Sequence, residues 1–454
     1  MLVGLGRSPV SDGHTKSMRR MASDGFRLYF NEALGDHFSL AAVSVRGGEV
    51  VPIPTPFKDV MLLRGSPDGS ELLLSEGRGV EEGPLWVLPI AARSPRRLGD
   101  AVGHDGSWSP DGRTIVWANG HDLYVSNSDG TGSRKFLGTN AVGATRANGP
   151  TWSPDGKHLR FVLWTSYDFH AIWEVSPDAT GLHPLLPGWD NPSSHSFTSW
   201  TPDGRHFLFT THKGLTSENV WAIREDVGIV RKAGEPVQLT SGPTNFYFPF
   251  ASRDGKKIFV HGVEARGELV RYEARSRQFV PYLGGISAEL PSFSKDGQWI
   301  AYTKLPDEDL WRSKVDGSQQ LQLTFSPLQA GMPRWSPDGR YIAAMPLPAV
   351  ESKDPSKVVL FDFTTQEWVD LANIGTGYTN CSRDGKYVYL QSHDDPGIFR
   401  VRISDRKLER VVSLKDVPRI GPIEDGFSLA PDDSPLILRD ASVEQLYALD
   451  WEAP

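Results

Sequence analysis

Aspartates that recur at regular intervals are the first residues in this sequence that could do chemistry. A carboxylate can serve as a general acid or base, or as a metal ligand. Ten equivalent carboxylates exceed what one active site needs, and an aspartate in a tight turn accepts hydrogen bonds from its own backbone. We therefore predict a structural role for the series, which runs through Asp24, Asp68, Asp111, Asp155, Asp203, Asp254, Asp296, Asp338, Asp384 and Asp432.

Other catalytic and metal-binding patterns are absent from the sequence. It has no Gly-x-Ser-x-Gly nucleophile motif, no His-Glu-x-x-His, no cysteine pair and no EF-hand loop. The single cysteine, Cys381, excludes an internal disulfide and is predicted to be a packed apolar residue. We expect that the protein is not an enzyme and needs no cofactor or metal.

The turn that holds each aspartate also defines the fold. In Ser336-Pro337-Asp338-Gly339, proline suits the second position of a type I turn and glycine supplies a positive φ. Successive aspartates are 42 to 51 residues apart, and each interval contains several short runs rich in β-branched and aromatic residues. Four antiparallel strands per repeat are typical of a β-propeller blade. The prediction is an all-β propeller of about ten four-stranded blades, arranged as one large ring or two tandem rings.

The repeat also sets the expected domain boundaries. Residues 1–20 lack a strand pattern and are predicted to be a loose leader, and residues 21–454 are predicted to form the propeller. Residues 446–451 resemble a third strand with no fourth strand after it. A strand near Met18–Met21 is expected to complete that last blade and close a ring.

Composition limits the classes of partner. Charged residues make up 23% of the chain and the net charge is −8, which gives no basic face for nucleic acid. No apolar run approaches the ~18 residues of a membrane span, and no signal peptide is visible. Neither the compartment nor the oligomeric state can be inferred from these properties.

Binding residues are expected where the first strand of each blade lines a central funnel. Polar and aromatic residues precede most of the turns and differ from blade to blade, which suits recognition of a ligand or peptide. The candidates are His104, Asp105, Arg146, Asn148, His195, Asn245, Tyr247, Glu289, Arg334 and Tyr378.

The repeated motif resembles that of TolB-like, WD-repeat-like bacterial β-propellers. The Trp-Ser-Pro-Asp-Gly pattern occurs at Trp108, Trp152 and Trp335, and with threonine at Trp200. Stretches at 27–32, 84–89, 267–272 and 447–454 are similar to the C-terminal sensor part of membrane-anchored winged-helix regulators. The resemblance implies an extracytoplasmic, periplasmic propeller. DNA binding and membrane anchoring are not implied, because no winged helix or membrane helix is found in this sequence.

Three functional hypotheses follow from these observations. The first is a non-catalytic module that binds or senses a small molecule, peptide or protein through the funnel. The second is a lyase or hydrolase whose site consists of funnel histidines and acids. The third is a scaffold that docks partner proteins.

Overall fold

The structure is a computed structural model of the chain. It describes residues 7–11, 20–34, 37–77, 82–92, 94–165, 170–189, 195–213, 217–225, 235–264, 266–273, 275–276, 278–284, 288–304, 309–325, 328, 330–346, 357–374, 376–382, 384–392, 397–413, 428–429, 435–440 and 442–451.

Forty strands and one 3₁₀ turn (Asn140–Val142) make up the regular structure of the described residues. The strands up to residue 264 are β1 (Arg7–Pro9), β2 (Met21–Ser23), β3 (Arg27–Leu34), β4 (His37–Ser44), β5 (Val51–Ile53), β6 (Val60–Gly65), β7 (Glu71–Glu76), β8 (Gly83–Pro89), β9 (Arg96–Gly103), β10 (Asp105–Trp108), β11 (Thr114–Asn119), β12 (Asp122–Asn127), β13 (Arg134–Leu137), β14 (Arg146–Trp152), β15 (Leu159–Trp164), β16 (His170–Val175), β17 (His183–Pro184), β18 (His195–Trp200), β19 (His206–Lys213), β20 (Ser217–Arg224), β21 (Val237–Gln238), β22 (Asn245–Ala251) and β23 (Lys257–Glu264). The remaining strands are β24 (Gly267–Glu273), β25 (Gln278–Pro281), β26 (Ala288–Phe293), β27 (Trp299–Lys304), β28 (Asp309–Lys314), β29 (Leu321–Gln322), β30 (Ala330–Trp335), β31 (Tyr341–Pro346), β32 (Lys357–Asp362), β33 (Glu367–Asn373), β34 (Thr376–Cys381), β35 (Tyr387–Ser392), β36 (Gly397–Arg402), β37 (Leu408–Ser413), β38 (Ser428–Leu429), β39 (Pro435–Asp440) and β40 (Val443–Asp450).

Within the described residues, the strands form ten four-stranded sheets, and their strands pair antiparallel, as in β10 with β11 and β11 with β12. Eight of the sheets use four consecutive strands, as in β10–β13. The predicted all-β propeller of four-stranded blades is thereby confirmed. The described residues include no helix of the length and apolarity that crossing a membrane requires.

The repeated turn has the geometry that its sequence predicts. The Gly339 N–H donates to the Ser336 carbonyl oxygen at 2.9 Å, and Gly339 has a φ of 70°. The Ser336 hydroxyl donates to the Asp338 carboxylate and accepts from the Tyr341 N–H at 2.9 Å. The serine and the aspartate thus satisfy the polar groups of a turn that connects the first two strands of a blade.

The chain divides into two compact units. The six-sheet unit comprises residues 1–212, 217–264 and 443–454, and the four-sheet unit comprises residues 213–216 and 265–442. The second unit is inserted in the sequence between β23 and β40. The units are therefore nested along the chain, whereas the sequence suggested one large ring or two consecutive rings.

The six-sheet unit is a closed ring. Its first five sheets are β2–β5, β6–β9, β10–β13, β14–β17 and β18–β21, and its sixth sheet has the order β22-β23-β40-β1. A separate apolar core fills each space between successive sheets, and one of them joins the sixth sheet to the first through Phe259, Leu446 and Leu28. The first strands β2, β6, β10, β14, β18 and β22 contact one another in cyclic order, so they surround a central channel.

The N-terminal strand closes the ring, but at a different place from the one expected. β1 pairs with β40 through Arg7 and Leu449, and the Val10 N–H donates to the Leu446 carbonyl oxygen at 2.7 Å. The closing strand is therefore Arg7–Pro9, and residues around Met21 instead begin the first sheet. The predicted leader, residues 1–20, thus contains a structural strand, which its short and polar sequence does not indicate.

In the four-sheet unit, the sheets are β26–β29, β30–β33, β34–β37 and a composite sheet of order β25-β24-β39-β38. Trp335 is 9% exposed and packs in the core between β26–β29 and β30–β33, as predicted for a residue that packs between blades. Cys381 is partly buried among apolar neighbours, and burial raises the pKa of its thiol to about 12. Its predicted role as a packing residue is confirmed.

Candidate functional site

The first strands of the six-sheet unit carry a repeated irregularity that shapes the channel. Gly149, Phe197 and Phe248 have φ values of 61°, 45° and 53°, and each lies six residues before the aspartate of its turn. The pairing register shifts at each of these places, between Asn148 and Thr151 in the first case. Such bulges redirect side chains. The fourth, fifth and sixth sheets therefore share one bulge position on the channel.

A cavity of about 270 Å³ lies at these bulges. Its lining comes from the first strands of five sheets, together with parts of β15, β16 and β20. It is predominantly apolar and aromatic, with two arginines and one glutamate. The lining residues are Arg20, Met21, Arg64, Asn148, Gly149, Val162, Trp164, His170, Ser196, Phe197, Thr198, Glu218, Tyr247, Phe248, Pro249 and Phe250.

Aromatic rings form one wall of the cavity. The ring centroids of Phe197 and Phe248 are 3.8 Å apart, and Tyr247 lies 6.2 Å from Phe197. Burial raises the pKa of the Tyr247 hydroxyl, and the nearby carboxylates of Glu218 and Glu444 raise it further. Tyr247 therefore remains protonated at neutral pH and can donate a hydrogen bond. On β15 and β16, Trp164 and His170 stack at 4.2 Å.

Arg64 reaches from the second sheet across the channel. Its Nη2 donates to the Thr151 hydroxyl at 2.6 Å and to the Thr198 carbonyl oxygen at 3.4 Å, which belong to the fourth and fifth sheets. The side chain is accessible from the cavity but is enclosed by protein on its other sides. This enclosure lowers the pKa of Arg64 to about 10, and the charge of Arg20 lowers it further.

A buried ion pair lies beside Arg64. Both Nη atoms of Arg20 donate to the two carboxylate oxygens of Asp105, whose side chain is fully buried. Asp105 also accepts from its neighbour Gly106, at 2.8 Å, and from the Gly149 N–H at the bulge of the fourth sheet. The carboxylate thus holds together the start of the first sheet, the third sheet and the fourth sheet.

A second cavity, of about 170 Å³, lies on the turn side of Arg64. Ser107, Thr151 and Ser199 line it, and each lies four residues before a turn aspartate, as Arg64 does. Arg64 contributes to the lining of both cavities. Its side chain therefore separates two parts of the channel.

The structure brings some of the predicted site residues to the cavity and places others elsewhere. Asn148 and Tyr247 line it, and Asp105 lies directly behind Arg20. Asn245 accepts from the Glu218 backbone N–H at 2.9 Å, so it positions a lining residue. His195 packs against Trp189 and Phe209, with ring centroids 5.6 and 5.3 Å away.

His104 and Arg146 meet at Glu82 rather than at the cavity. The Nε2 atom of His104 lies 2.8 Å from the Ala147 carbonyl oxygen, and its Nδ1 lies 3.4 Å from the Glu82 carboxylate. Arg146 is 3.8 Å from the same carboxylate. Burial lowers the pKa of His104, and the charge of Arg146 lowers it further, so this histidine is neutral at pH 7.

The other three predicted residues belong to the four-sheet unit. Arg334 lies on β30 and donates to the adjacent Pro333 carbonyl oxygen at 3.0 Å. Glu289 and Tyr378 lie on β26 and β34, and their side chains are outside the described part of the structure.

Sequence reasoning missed Arg20, Arg64, Phe197, Phe248, Trp164, His170 and Glu218. A signal for Arg64 was present, since it lies four residues before Asp68, as the predicted Arg334 lies four before Asp338. The two phenylalanines occupy the same position relative to the turn as the predicted Asp105. Counting back from every turn to a fixed position identifies these three residues.

Within the described residues, the turn aspartates play the structural part that the repeat predicts, and Asp432 lies outside those residues. Asp68, for example, accepts from the hydroxyls of Ser66 and Ser70 and from the Ser70 N–H, and these bonds lower its pKa to about 2. Among the described residues, no group of three or more histidine, cysteine, aspartate or glutamate side chains is placed to hold a metal ion.

Several solved structures are similar to this chain in fold. No protein-family model and no curated protein sequence matches it. Among solved structures, one described as TolB from Agrobacterium tumefaciens is 20% identical, with a TM-score of 0.31 over 66% of this chain and 93% of that one. A GH74 xyloglucanase from Xanthomonas campestris is 12% identical, with a TM-score of 0.41 over 92% of this chain and 76% of that one.

A puromycin-hydrolyzing peptidase from Mycobacterium tuberculosis is 13% identical, with a TM-score of 0.37 over 92% of this chain and 56% of that one. The similar structures thus include enzymes as well as the TolB-like protein. Similarity at this level does not assign an activity to this chain.

Proposed function

We propose that the six-sheet unit is a binding module that accepts a small ligand, or one end of a peptide, in the cavity beside Phe197 and Phe248. The observation that carries this proposal is the backbone of these two residues. Both have a positive φ, and both place their rings on the cavity. A bulky residue at positive φ is strained by about 1–3 kcal/mol, and such strain concentrates at functional sites.

The contrast with the fourth sheet supports this interpretation. At the same position relative to its turn, that sheet has Gly149, which adopts a φ of 61° without strain. The fold therefore accommodates glycine here, and two neighbouring sheets nevertheless have phenylalanine. A wall of aromatic rings with a few polar groups is typical of a small-ligand site.

The hydrogen bonds of Asp105 favour binding over catalysis. A general acid or base must have an oxygen free to exchange a proton with the substrate. Asp105 accepts two bonds from Arg20 and two from backbone N–H groups. These bonds occupy both of its oxygens.

The test is a ligand screen on the intact chain by thermal shift, followed by titration calorimetry of each hit. We expect hits whose binding is lost in Phe248→Gly and retained in Phe26→Gly, because Phe26 is 81% exposed and lies outside the cavity. Hits that bind equally well to both variants would contradict the proposed site. Release of product from a hit during incubation, abolished by Glu218→Gln or His170→Ala, would favour the enzyme hypothesis.

The resemblance to extracytoplasmic propellers supports a sensor that works in the periplasm and passes its ligand state to a protein partner. A reporter that is active only outside the cytoplasm, fused to the C-terminus of the chain in its native cells, tests the compartment. An intact fusion protein that accumulates in the cytoplasm without reporter activity would contradict this part of the proposal. A partner recovered equally with the wild type and with Phe248→Gly would instead favour the docking scaffold.

A further inference from the structure

Arg64 is an enclosed cation that has no carboxylate partner among the residues that the structure describes. Its hydrogen bonds reach neutral oxygens, those of Thr151 and Thr198, and no ion pair to it is found among the described residues. Its Nε is buried and has no hydrogen-bond partner in the described structure. A charge that is largely enclosed by protein and lacks a counter-ion is unfavourable, because it has lost much of its hydration. The lowered pKa of Arg64 reflects the same cost.

The other nearby charges do not neutralise Arg64. The charge of Asp105 acts on Arg64, but Arg20 already engages both oxygens of that carboxylate. Arg20, Arg64 and Asp105 together leave one uncompensated positive charge next to the cavity. Thr151 and Thr198 hold the guanidinium in place from two different sheets, so it is oriented before any ligand arrives.

The opposite end of the cavity is acidic. Glu218 lies at the start of β20, and Arg64 lies near the turn end of β6. Because β18 runs toward its turn and β19 returns from it, β20 begins at the end of the channel far from the turns. The carboxylate of Glu218 therefore disfavours a second anionic group at that end of the ligand. The cavity thus has a cationic end at Arg64, an aromatic wall and an acidic end.

From this arrangement we propose, building on the binding function above, that the ligand is a monocarboxylate with a flat apolar body. Its carboxylate pairs with Arg64, and its body lies against Phe197 and Phe248. The planar guanidinium matches a carboxylate with two parallel hydrogen bonds. A phosphate dianion brings more negative charge than the one positive charge it meets. The 270 Å³ of the cavity is slightly below the usual range for ligand sites, about 300–1,000 Å³, which suits a single ring with a short acidic chain.

Calorimetric titration of the full chain with four probes tests this proposal. The probes are 3-phenylpropionate, its neutral amide 3-phenylpropionamide, the cation phenethylammonium, and inorganic phosphate. We expect 3-phenylpropionate to bind at least about tenfold more tightly than each of the other three probes. A tenfold difference is what the loss of one charged hydrogen bond to the ligand would cause.

Three variants identify the residue responsible. Arg64→Met should reduce the affinity for 3-phenylpropionate to that for the amide, and Arg64→Lys should retain part of the preference. Arg134→Met, which removes the same charge from an exposed position on β13, should leave the affinity unchanged. The melting temperature of ligand-free Arg64→Met should be no lower than that of the wild type, because an apolar side chain there removes an uncompensated charge.

The outcomes separate this inference from the proposed function. If the amide or the ammonium probe binds as tightly as the acid, and Phe248→Gly abolishes binding, the cavity is a ligand site but the carboxylate assignment is wrong. Equal binding of phosphate overturns the requirement for an apolar body. A large fall in the melting temperature of Arg64→Met, with the affinity for 3-phenylpropionate intact, makes Arg64 a structural residue. If neither these probes nor the screen gives binding that depends on Phe248, both proposals fail.

Discussion

Arg20 and Asp105 form a two-pronged ion pair in the centre of the six-sheet unit, and the carboxylate is fully buried. Arg20 precedes the first sheet, and Asp105 begins the first strand of the third sheet. The same carboxylate accepts the Gly149 N–H of the fourth sheet. One aspartate therefore ties three parts of the ring together and also neutralises one of the two arginines at the cavity.

We expect Asp105→Asn to destabilise the protein by about 3 kcal/mol, the lower end of the cost of removing one partner from a buried ion pair. The lower end applies because Arg20 retains 23% exposure and can recover some hydration. Urea unfolding monitored by tryptophan fluorescence measures the change. Asp100→Asn, at an exposed position on β9, is the control and should leave the unfolding midpoint unchanged. An equal midpoint for Asp105→Asn would mean that the pair contributes nothing to stability.

Phe197 should reverse the usual order of glycine and alanine. In a strand, glycine is less stable than alanine by about 0.5–1 kcal/mol. At a φ of 45°, alanine keeps the strain that glycine removes, so Phe197→Gly should unfold at a higher urea concentration than Phe197→Ala. Phe209 is fully buried and is not among the residues with positive φ. Phe209→Ala should therefore be more stable than Phe209→Gly. The same order at both positions would contradict the strained bulge.

The repeat made most of the fold predictable from sequence. The repeated turn depends on local backbone geometry and hydrogen bonds, so its copies mark the sheets directly in the sequence. The turns do not indicate which sheets lie next to each other in the fold. The pairing of Arg7–Pro9 with β40 joins residues more than 400 positions apart, and no local pattern indicates it. The division into six and four sheets likewise depends on which strands share the composite sheets.

The site was less predictable than the fold, for a physical reason. Residues before each turn were expected to face the channel, and Asn148 and Tyr247 do. The bulges shift the register within the first strands, so alternation no longer tells which side chains point inward. Phe197 and Phe248 therefore reach the cavity although they look like ordinary strand residues. Trp164, His170 and Glu218 come from second and third strands, whereas the sequence predicts site residues on first strands alone.

The turn aspartates should make stability fall in acid. The Ser66 hydroxyl and the Ser70 N–H and hydroxyl hold the pKa of Asp68 at about 2, below its value in an unfolded chain. A carboxyl whose folded pKa is lowered contributes fully above its unfolded pKa and loses that contribution as the pH falls toward the folded pKa. Between about pH 5 and pH 2, the urea midpoint of the wild type should fall more steeply than that of Asp68→Asn. Parallel curves would show that these bonds do not favour the ionised form.

Gly69 and Gly112 give a matched pair that probes how the ring closes at its first sheet. Both have a φ of 72°, so alanine at either position carries the same backbone strain, about 1–2 kcal/mol. Around Gly112 no atom lies within 4 Å of an added Cβ, whereas at Gly69 the Cβ would lie 2.9 Å from the Ser23 carbonyl oxygen and 2.7 Å from Arg253.

Arg253 comes from the turn of the sixth sheet and donates to the Pro67 carbonyl oxygen at 2.8 Å, across the first turn, which is one residue shorter than the others. Gly69→Ala should therefore lower the urea midpoint more than Gly112→Ala does. The double variant Gly69→Ala with Arg253→Ala should recover only part of this difference in urea midpoint. The double variant removes the contact with the Arg253 side chain, but the contact with the Ser23 backbone remains. Equal midpoints for the two alanine variants would mean that the turns of the first, second and sixth sheets are not in close contact.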